Sequence, residues 1–194
     1  PSRGLGDVYK RQDFNREGRW QGAGHNPELN LAGVAQAHLL TETLRPLGMR
    51  IIYSSPLQRA LQTAEIIGRE LHIPVIVNND LIEGNFGINE GQYHKDIILT
   101  EEYKNWRNLD AEYIHFRFEG GESKYEIMQR MFAAVSALLE TPEEVIGISS
   151  HSAAIRCLML QFGLKMKRLE NGALLRLTYN DGTWSVEEIC DDSE

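Results

Sequence analysis

The sequence predicts an α/β protein: a three-layer α/β/α arrangement around a mostly parallel central sheet, with an antiparallel hairpin at the C-terminal end. Three observations predict it. RIIYSS at Arg50–Ser55 and EVIGIS at Glu144–Ser149 are short apolar runs suited to buried strands. Each leads directly into a stretch with helical periodicity, and strand–helix alternation is the mark of a parallel sheet. Finally, Asn180-Asp181-Gly182 separates two strand-like runs, Leu174–Tyr179 and Thr183–Ile189, which is a hairpin signal.

The elements follow in order. Leu31–Leu44 (LAGVAQAHLLTETL) has helical periodicity and good helix formers, with Asn30 as N-cap and Pro46 and Gly48 marking its end. After the strand at Arg50–Ser55, Pro56 at a first-turn position, capped by Ser55, opens a helix through about Leu71. Val75–Val77 is a short strand after Pro74, and Tyr125–Leu139 is an amphipathic helix. The strand Glu144–Ser149 is followed by a helix over Ala153–Phe162 that ends near Gly163. Residues 84–124 have weaker periodicity and read as an insertion over one end of the sheet.

Composition narrows the class. A chain of 194 residues suits one domain with one sizeable core. Its 42% apolar and 25% charged residues are ordinary for a globular protein, and there is no apolar run of about 18 residues to span a membrane. The formal charge of −8, with no Lys/Arg stripe, argues against nucleic acid as a partner. A few local arginines can still bind a small anion. Cys157 and Cys190 are too few for a disulfide framework or a zinc cluster, so a reducing cytoplasm is expected. The scattered histidines imply no metal, and no residue pattern sets an oligomeric state.

Four constellations carry candidate chemistry. In SSPLQRALQTAEII (54–67), Arg59 lies in the first turn of a helix that a strand delivers. Free N–H groups and partial positive charge at that end suit an anion, phosphate above all, although an exposed helix arginine is the simpler reading of Arg59 alone. In VIGISSHSAAIRCL (145–158), His151 sits where strand turns to helix, at the edge where α/β proteins bind ligands. A hydrogen-bonded turn histidine fits that position equally well. In LIEGNFGINEGQ (81–92), Glu83 is either a general acid or a solvated loop residue. NREGRWQG (15–22) offers Asn15, Gln21 and Gly22, by itself an ordinary polar loop.

Together, in this order and spacing, these motifs resemble the histidine phosphatase superfamily, the branch that includes cofactor-dependent phosphoglycerate mutase. The resemblance runs from Asp13 to about Ser185: GRWQG (18–22), LNLAGVAQA (29–37), SSPLQRALQTA, LIEGNFGINEG, GGES (120–123), the His151 turn, and Asn171. It implies a histidine nucleophile in an opening Arg-His-Gly-Glu-Thr motif. Two arginines and a second histidine would hold the phosphoryl oxygens, and a glutamate would protonate the leaving oxygen. Carried over, Arg59 is a phosphate clamp, His151 the second histidine and Glu83 the acid. Asn15, Gln21, Gly22 and Ser152 would line the substrate pocket. No cofactor or metal is implied.

The opening motif itself is not present. Counting back from Asn15, the family register places the nucleophile at Tyr9 and the first arginine at Val8. Ser2–Gln12 (SRGLGDVYKRQ) resembles instead the translation of a transposon-type sequencing-library adapter over eleven consecutive codons. Residues 1–12 are therefore expected to be non-native, with 13–194 forming one histidine phosphatase-like domain whose first central strand is missing or replaced. The parent enzyme is expected to hydrolyse a small phosphorylated metabolite through a phosphohistidine, and this chain to be inactive. A mutase-type isomerase is the alternative. Against it, Phe86 stands where the mutases carry Tyr, and Arg107 and Arg117 are separate rather than an adjacent pair. A non-catalytic phospho-ligand binding module is the third reading. Substrate contacts from the insertion would come from Tyr93, His94, Trp106, His115 and Arg117, each of which is also an ordinary surface or packing residue.

Overall fold

The structure, a computed structural model, describes residues 18–165, 169 and 171–189. The first helix, α1 (Leu31–Leu44), begins where the sequence places it, because the Asn30 side chain accepts the Gly33 N–H at 3.0 Å. A 3₁₀ turn at Arg45–Leu47 and Gly48 at φ 71° end it, and the chain enters β1 (Ile51–Ser54). Helix α2 (Gln58–Leu71) and β2 (Val75–Val77) complete the first strand–helix–strand unit. Residues 84–124 carry two short helices, α3 (His94–Ile97) and α4 (Glu101–Arg107), joined by turns. Then come α5 (Lys124–Ala137), β3 (Ile146–Ser149) and α6 (Ser152–Gln161), and the hairpin of β4 (Leu174–Asn180) and β5 (Thr183–Ile189).

The sheet order is β2-β1-β3, with both pairs parallel. Tyr53 stands between Ile76 and Ile148, one row of the sheet. Helices α1 and α2 cover one face, where Ile52, Ala64 and Ile67 pack with Leu40, Leu44 and Val75. The larger core lies on the other side, where α5 and α6 pack together through Ile127, Met131, Ala154, Leu158 and Met159. Phe86, Trp106 and Phe118 extend that core into the 84–124 segment. The hairpin turns on Asp181 (φ 47°) and Gly182 (φ 83°), the two positive φ values that a tight two-residue turn demands.

Several boundaries differ by a residue or two from the sequence expectation, the helix over Ala153–Phe162 among them at Ser152–Gln161, and two differences have a visible cause. Helix α2 starts at Gln58, so Pro56 lies outside it, and Ser55 is no N-cap. The Ser55 hydroxyl instead accepts the Leu57 N–H at 3.2 Å and faces His151. The helix expected over Tyr125–Leu139 begins at Lys124, because Ser123 and Glu126 form a reciprocal capping box. The expectation of a missing or replaced first strand falls on residues 1–12, which lie outside the described residues, as do Asn15 and Cys190.

Candidate active site

β1 and β3 are parallel neighbours, so they deliver their C-terminal ends to the same edge of the sheet. The Ser55 N–H donates to the Ser149 carbonyl at 2.9 Å and locks the two exits together. Three more serines tie this edge to the surrounding backbone. Ser54 donates to the Ser55 carbonyl (3.0 Å), Ser149 to Ala60 (2.9 Å) and Ser150 to Leu81 (2.8 Å). The SS pairs at both strand ends thus act as short tethers: buried Ser54 and half-buried Ser149 and Ser150 bond carbonyls of the turn, of α2 and of the segment before Glu83.

His151 follows β3 directly and is 7% exposed, with Nε2 2.7 Å from the Ser55 hydroxyl oxygen. Arg59, on the first turn of α2, is 9% exposed. Its Nη1 donates to the His25 carbonyl at 2.8 Å and its Nη2 to the Gly22 carbonyl at 3.2 Å. Glu83 is 7% exposed and closes the N-terminus of α6. Its carboxylate accepts N–H bonds from Ala154 (2.8 Å), Ala153 (3.3 Å) and its own neighbour Gly84 (2.9 Å). The structure thus brings Arg59, Glu83 and His151 to one edge. Gly22 and half-buried Gln21 lie on the loop that receives Arg59. Ser152 is the first residue of α6 and is exposed beside His151.

Electrostatics follows from burial. The His151 pKa is held well below the usual histidine value, first by burial and then by the Arg59 and Arg130 charges, so the ring is neutral at pH 7. Burial raises the Glu83 pKa, opposed by its three backbone N–H bonds and by Arg59. Burial also lowers the Arg59 pKa, with Glu83 and Glu90 pulling the other way. Such a site holds a fixed guanidinium, a neutral imidazole and a carboxyl group that binds a proton more readily than a solvated glutamate. A dianion entering it supplies the negative charge that the two basic groups lack.

The positions of these groups depend on residues that the sequence analysis passed over. Arg130 on α5 donates through Nη1 to the Asp80 and Ile82 carbonyls at 2.7 and 3.0 Å, fixing the segment that carries Glu83. Glu122 holds Arg130 in turn, with contacts of 3.1 Å to Nε and Nη2, and accepts the Asn85 N–H at 2.8 Å. Glu90, 8% exposed at its side chain, binds the Gly24 and Phe86 N–H groups. The motif spacing contained the signal for Glu90 and Glu122, in NEG and GGES, but each partner is remote in sequence.

Of the residues suggested for substrate contact on the 84–124 segment, Trp106 is buried in the core beside Phe86. His94 meets the Tyr103 hydroxyl at 2.9 Å, Tyr93 stacks under Arg19, His115 packs on Tyr125 and Arg117 pairs with Glu126. Among the described residues there is no cluster of histidine, cysteine and acidic side chains able to hold a metal, and no helix long and apolar enough to cross a membrane. Cys157 is a buried thiol on α6 whose pKa burial pushes up to about 12, far from a nucleophilic thiolate.

A parallel sheet that gathers buried Arg59, Glu83 and His151 at its carboxyl edge defines a class, and comparison with known proteins identifies it. The family model of the histidine phosphatase superfamily (branch 1) matches residues 11–192, and the chain belongs to that family. Over 179 residues it is 35% identical to the probable phosphoglycerate mutase GpmB of Citrobacter koseri, covering 88% of this chain and 82% of that protein. The mycobacterial glucosyl-3-phosphoglycerate phosphatase, solved with VO3, superimposes with a TM-score of 0.82 at 25% identity, covering 93% of this chain and 94% of that one. The alpha-ribazole phosphatase of Shigella flexneri has the same fold, with a TM-score of 0.76 at 23% identity over 93% and 92% of the two chains.

Proposed function

We propose that the protein derives from a phosphatase that hydrolyses a small phosphomonoester through a phosphohistidine. The observation that carries this reading is the convergence of buried Arg59, Glu83 and His151 at one edge of the sheet. Arg59 and His151 hold the phosphoryl oxygens while a histidine attacks phosphorus. The bond to the leaving oxygen breaks, and Glu83 gives that oxygen its proton. In the second step water attacks the phosphohistidine, and the Glu83 carboxylate takes the proton that water loses. Gly22, Gln21, Ser152 and Asn15 complete the pocket around a substrate such as a sugar phosphate, a riboside phosphate or phosphoglycerate.

Residues 8–10 of this chain read Val-Tyr-Lys where the family places Arg-His-Gly, so this chain supplies no histidine to attack. It therefore binds a phosphorylated ligand without turning it over. Mutase activity is the second reading, favoured by the 35% identity to a probable phosphoglycerate mutase. Against it stands Phe86, which is 1% exposed and stacked on Trp20 at 4.7 Å, a packing residue rather than a polar pocket group.

One experiment separates these readings. A strand ending in Arg-His-Gly-Glu-Thr is grafted before Asp13, and both proteins are assayed for aryl phosphate hydrolysis, phosphoglycerate interconversion and acid-labile phosphoenzyme. The graft is expected to gain hydrolysis by a factor on the order of a million. Interconversion without hydrolysis would establish the mutase. Equal turnover by both proteins would show that no histidine at that position is needed.

A further inference from the structure

We infer that Glu90 is a positioning residue for Arg59, acting through the loop between Trp20 and His25. Its carboxylate packs against the inner side of that loop. One oxygen accepts the Gly24 N–H at 2.8 Å and lies 3.4 Å from the His25 ring, while the other accepts the Phe86 N–H at 2.9 Å. The approach is close: at Gly22 a side chain would meet both Glu90 and the Gly84 carbonyl, and at Gly24 it would displace the Glu90 carboxylate. A Cβ on Gly22 would lie 2.0 Å from one Glu90 oxygen, and a Cβ on Gly24 2.5 Å from the other. Glu90 thus clamps the loop to the segment that carries Glu83, aided by the Ala23 N–H bond to the Gly84 carbonyl at 3.1 Å.

The clamped loop presents two carbonyls, Gly22 and His25, to the Arg59 guanidinium. An arginine side chain has several flexible bonds, and its position in an open pocket is costly to fix. Two carbonyls at set positions remove the rotation of its terminal group and leave the other N–H donors for a ligand. The loop can offer those carbonyls only while its own backbone is held, and the Glu90 carboxylate takes the Gly24 N–H between them. Its charge also favours the Arg59 cation, which burial opposes. The Glu90 oxygens bond the Gly24 and Phe86 N–H groups, so Glu90 acts on Arg59 through the loop and through its charge.

The proposal rests on the reading of Arg59 as a phosphate clamp, and its test separates the two. Inorganic phosphate and orthovanadate binding to the 194-residue chain is measured calorimetrically for wild type, Glu90→Gln, Glu90→Ala, Arg59→Ala and the double variants. Gln keeps the volume of Glu90 but turns an N–H group toward one of the two backbone donors, so it disrupts the clamp in a folded chain. Each Glu90 variant is expected to weaken binding about tenfold in the Arg59 background and to add nothing in the Arg59→Ala background. A loss that is equal in both backgrounds, or absent from both, overturns the proposal.

A second measurement needs no ligand. In ¹⁵N-arginine-labelled protein, the two Nη groups of Arg59 are expected to resolve in wild type, because both are bonded, and to average in Glu90→Gln. Resolved signals in the variant overturn the positioning role even if no phosphate binds. Arg59→Ala binding phosphate as tightly as wild type overturns the clamp reading instead.

Discussion

At the carboxyl edge of the sheet, Arg59, Glu83 and His151 are 9%, 7% and 7% exposed. On the 84–124 segment the charged side chains of Glu101, Lys104 and Arg117 are 77%, 58% and 61% exposed, held only in solvated pairs. Both regions are polar, yet they differ in what a lost partner costs. A buried polar group left unpaired loses its full desolvation energy, whereas a solvated ion pair exchanges one partner for water. The edge is therefore rigid and intolerant. The insertion surface can change its charges without disturbing the fold. Between them runs a seam of charge, buried at Lys124 and half-buried at Arg130 and Glu122, in which Lys124, Glu122 and Glu90 belong to the insertion in sequence and Arg130 to α5.

The largest expected difference between the regions is in turnover. In the chain carrying the Arg-His-Gly-Glu-Thr graft, Arg59→Ala should reduce kcat/KM for an aryl phosphate by about a hundred- to a thousandfold, as for loss of a fixed donor to transition-state charge. Arg117→Ala should stay within about twofold, since Arg117 bonds only Glu126 at the surface. Equal losses for the two would erase the distinction between edge and insertion as far as chemistry is concerned.

Next in size is stability at the seam. Arg130→Ala removes the donor for the Asp80 and Ile82 carbonyls and leaves the half-buried Glu122 carboxylate with the Asn85 N–H alone. A loss of about 1–3 kcal/mol in denaturant unfolding is expected. Lys104→Ala, which breaks only a solvated pair with Glu101, should cost less than about 0.5 kcal/mol. A small effect for Arg130→Ala would mean that the Glu83 segment is held by packing alone.

The same contrast explains what the sequence disclosed. Asn30, the Asp181-Gly182 turn and the two strand exits are local: each signal and its partner lie within a few residues. Arg59 and His151 were candidates because strand-to-helix junctions place side chains at the ligand edge. Glu90 and Arg130 were not, because their partners are backbone groups 66 and 50 residues away, and a backbone carbonyl has no letter in the sequence. The start of α2 was misplaced for a related reason. Ser55 is engaged by His151, 96 residues on, and by the Leu57 N–H, so it is not free to cap the helix.

A smaller effect tests the edge through protons. The His151 pKa is lower folded than its unfolded value of about 6.5. As pH falls below that value, the unfolded chain binds a proton that the folded chain refuses, so stability falls toward acid. Glu83 acts in the opposite direction, since its pKa is raised on folding. It does so in wild type and in His151→Gln alike. Between pH 7.5 and 5.5 wild type should therefore lose more stability than His151→Gln, measured as the difference in urea midpoints. Parallel curves would place His151 in contact with solvent.

The last expected effect concerns Lys124, the seam residue nearest in character to the edge. It is 2% exposed, donates to the Trp106 carbonyl at 2.8 Å and the Asn105 carbonyl at 3.3 Å, and lies 5.0 Å from the centre of the Trp106 ring. It therefore ties the C-terminal end of α4 to the first turn of α5. Burial lowers its pKa to about 8, against about 10.4 for an unfolded lysine. Between those two values the unfolded chain holds the proton and the folded chain has released it, so stability rises with pH across that window and is lost again as pH falls through it. The neutral amine keeps its N–H donors, so both carbonyls remain bonded throughout. Wild type should gain stability relative to Lys124→Met from pH 7.5 to 10, with a slope below about 1 kcal/mol per pH unit. Other lysines and tyrosines titrate in both proteins and cancel in the difference. A flat difference would show that Lys124 is charged and solvated like the surface lysines of the insertion, and the seam would then begin at Arg130.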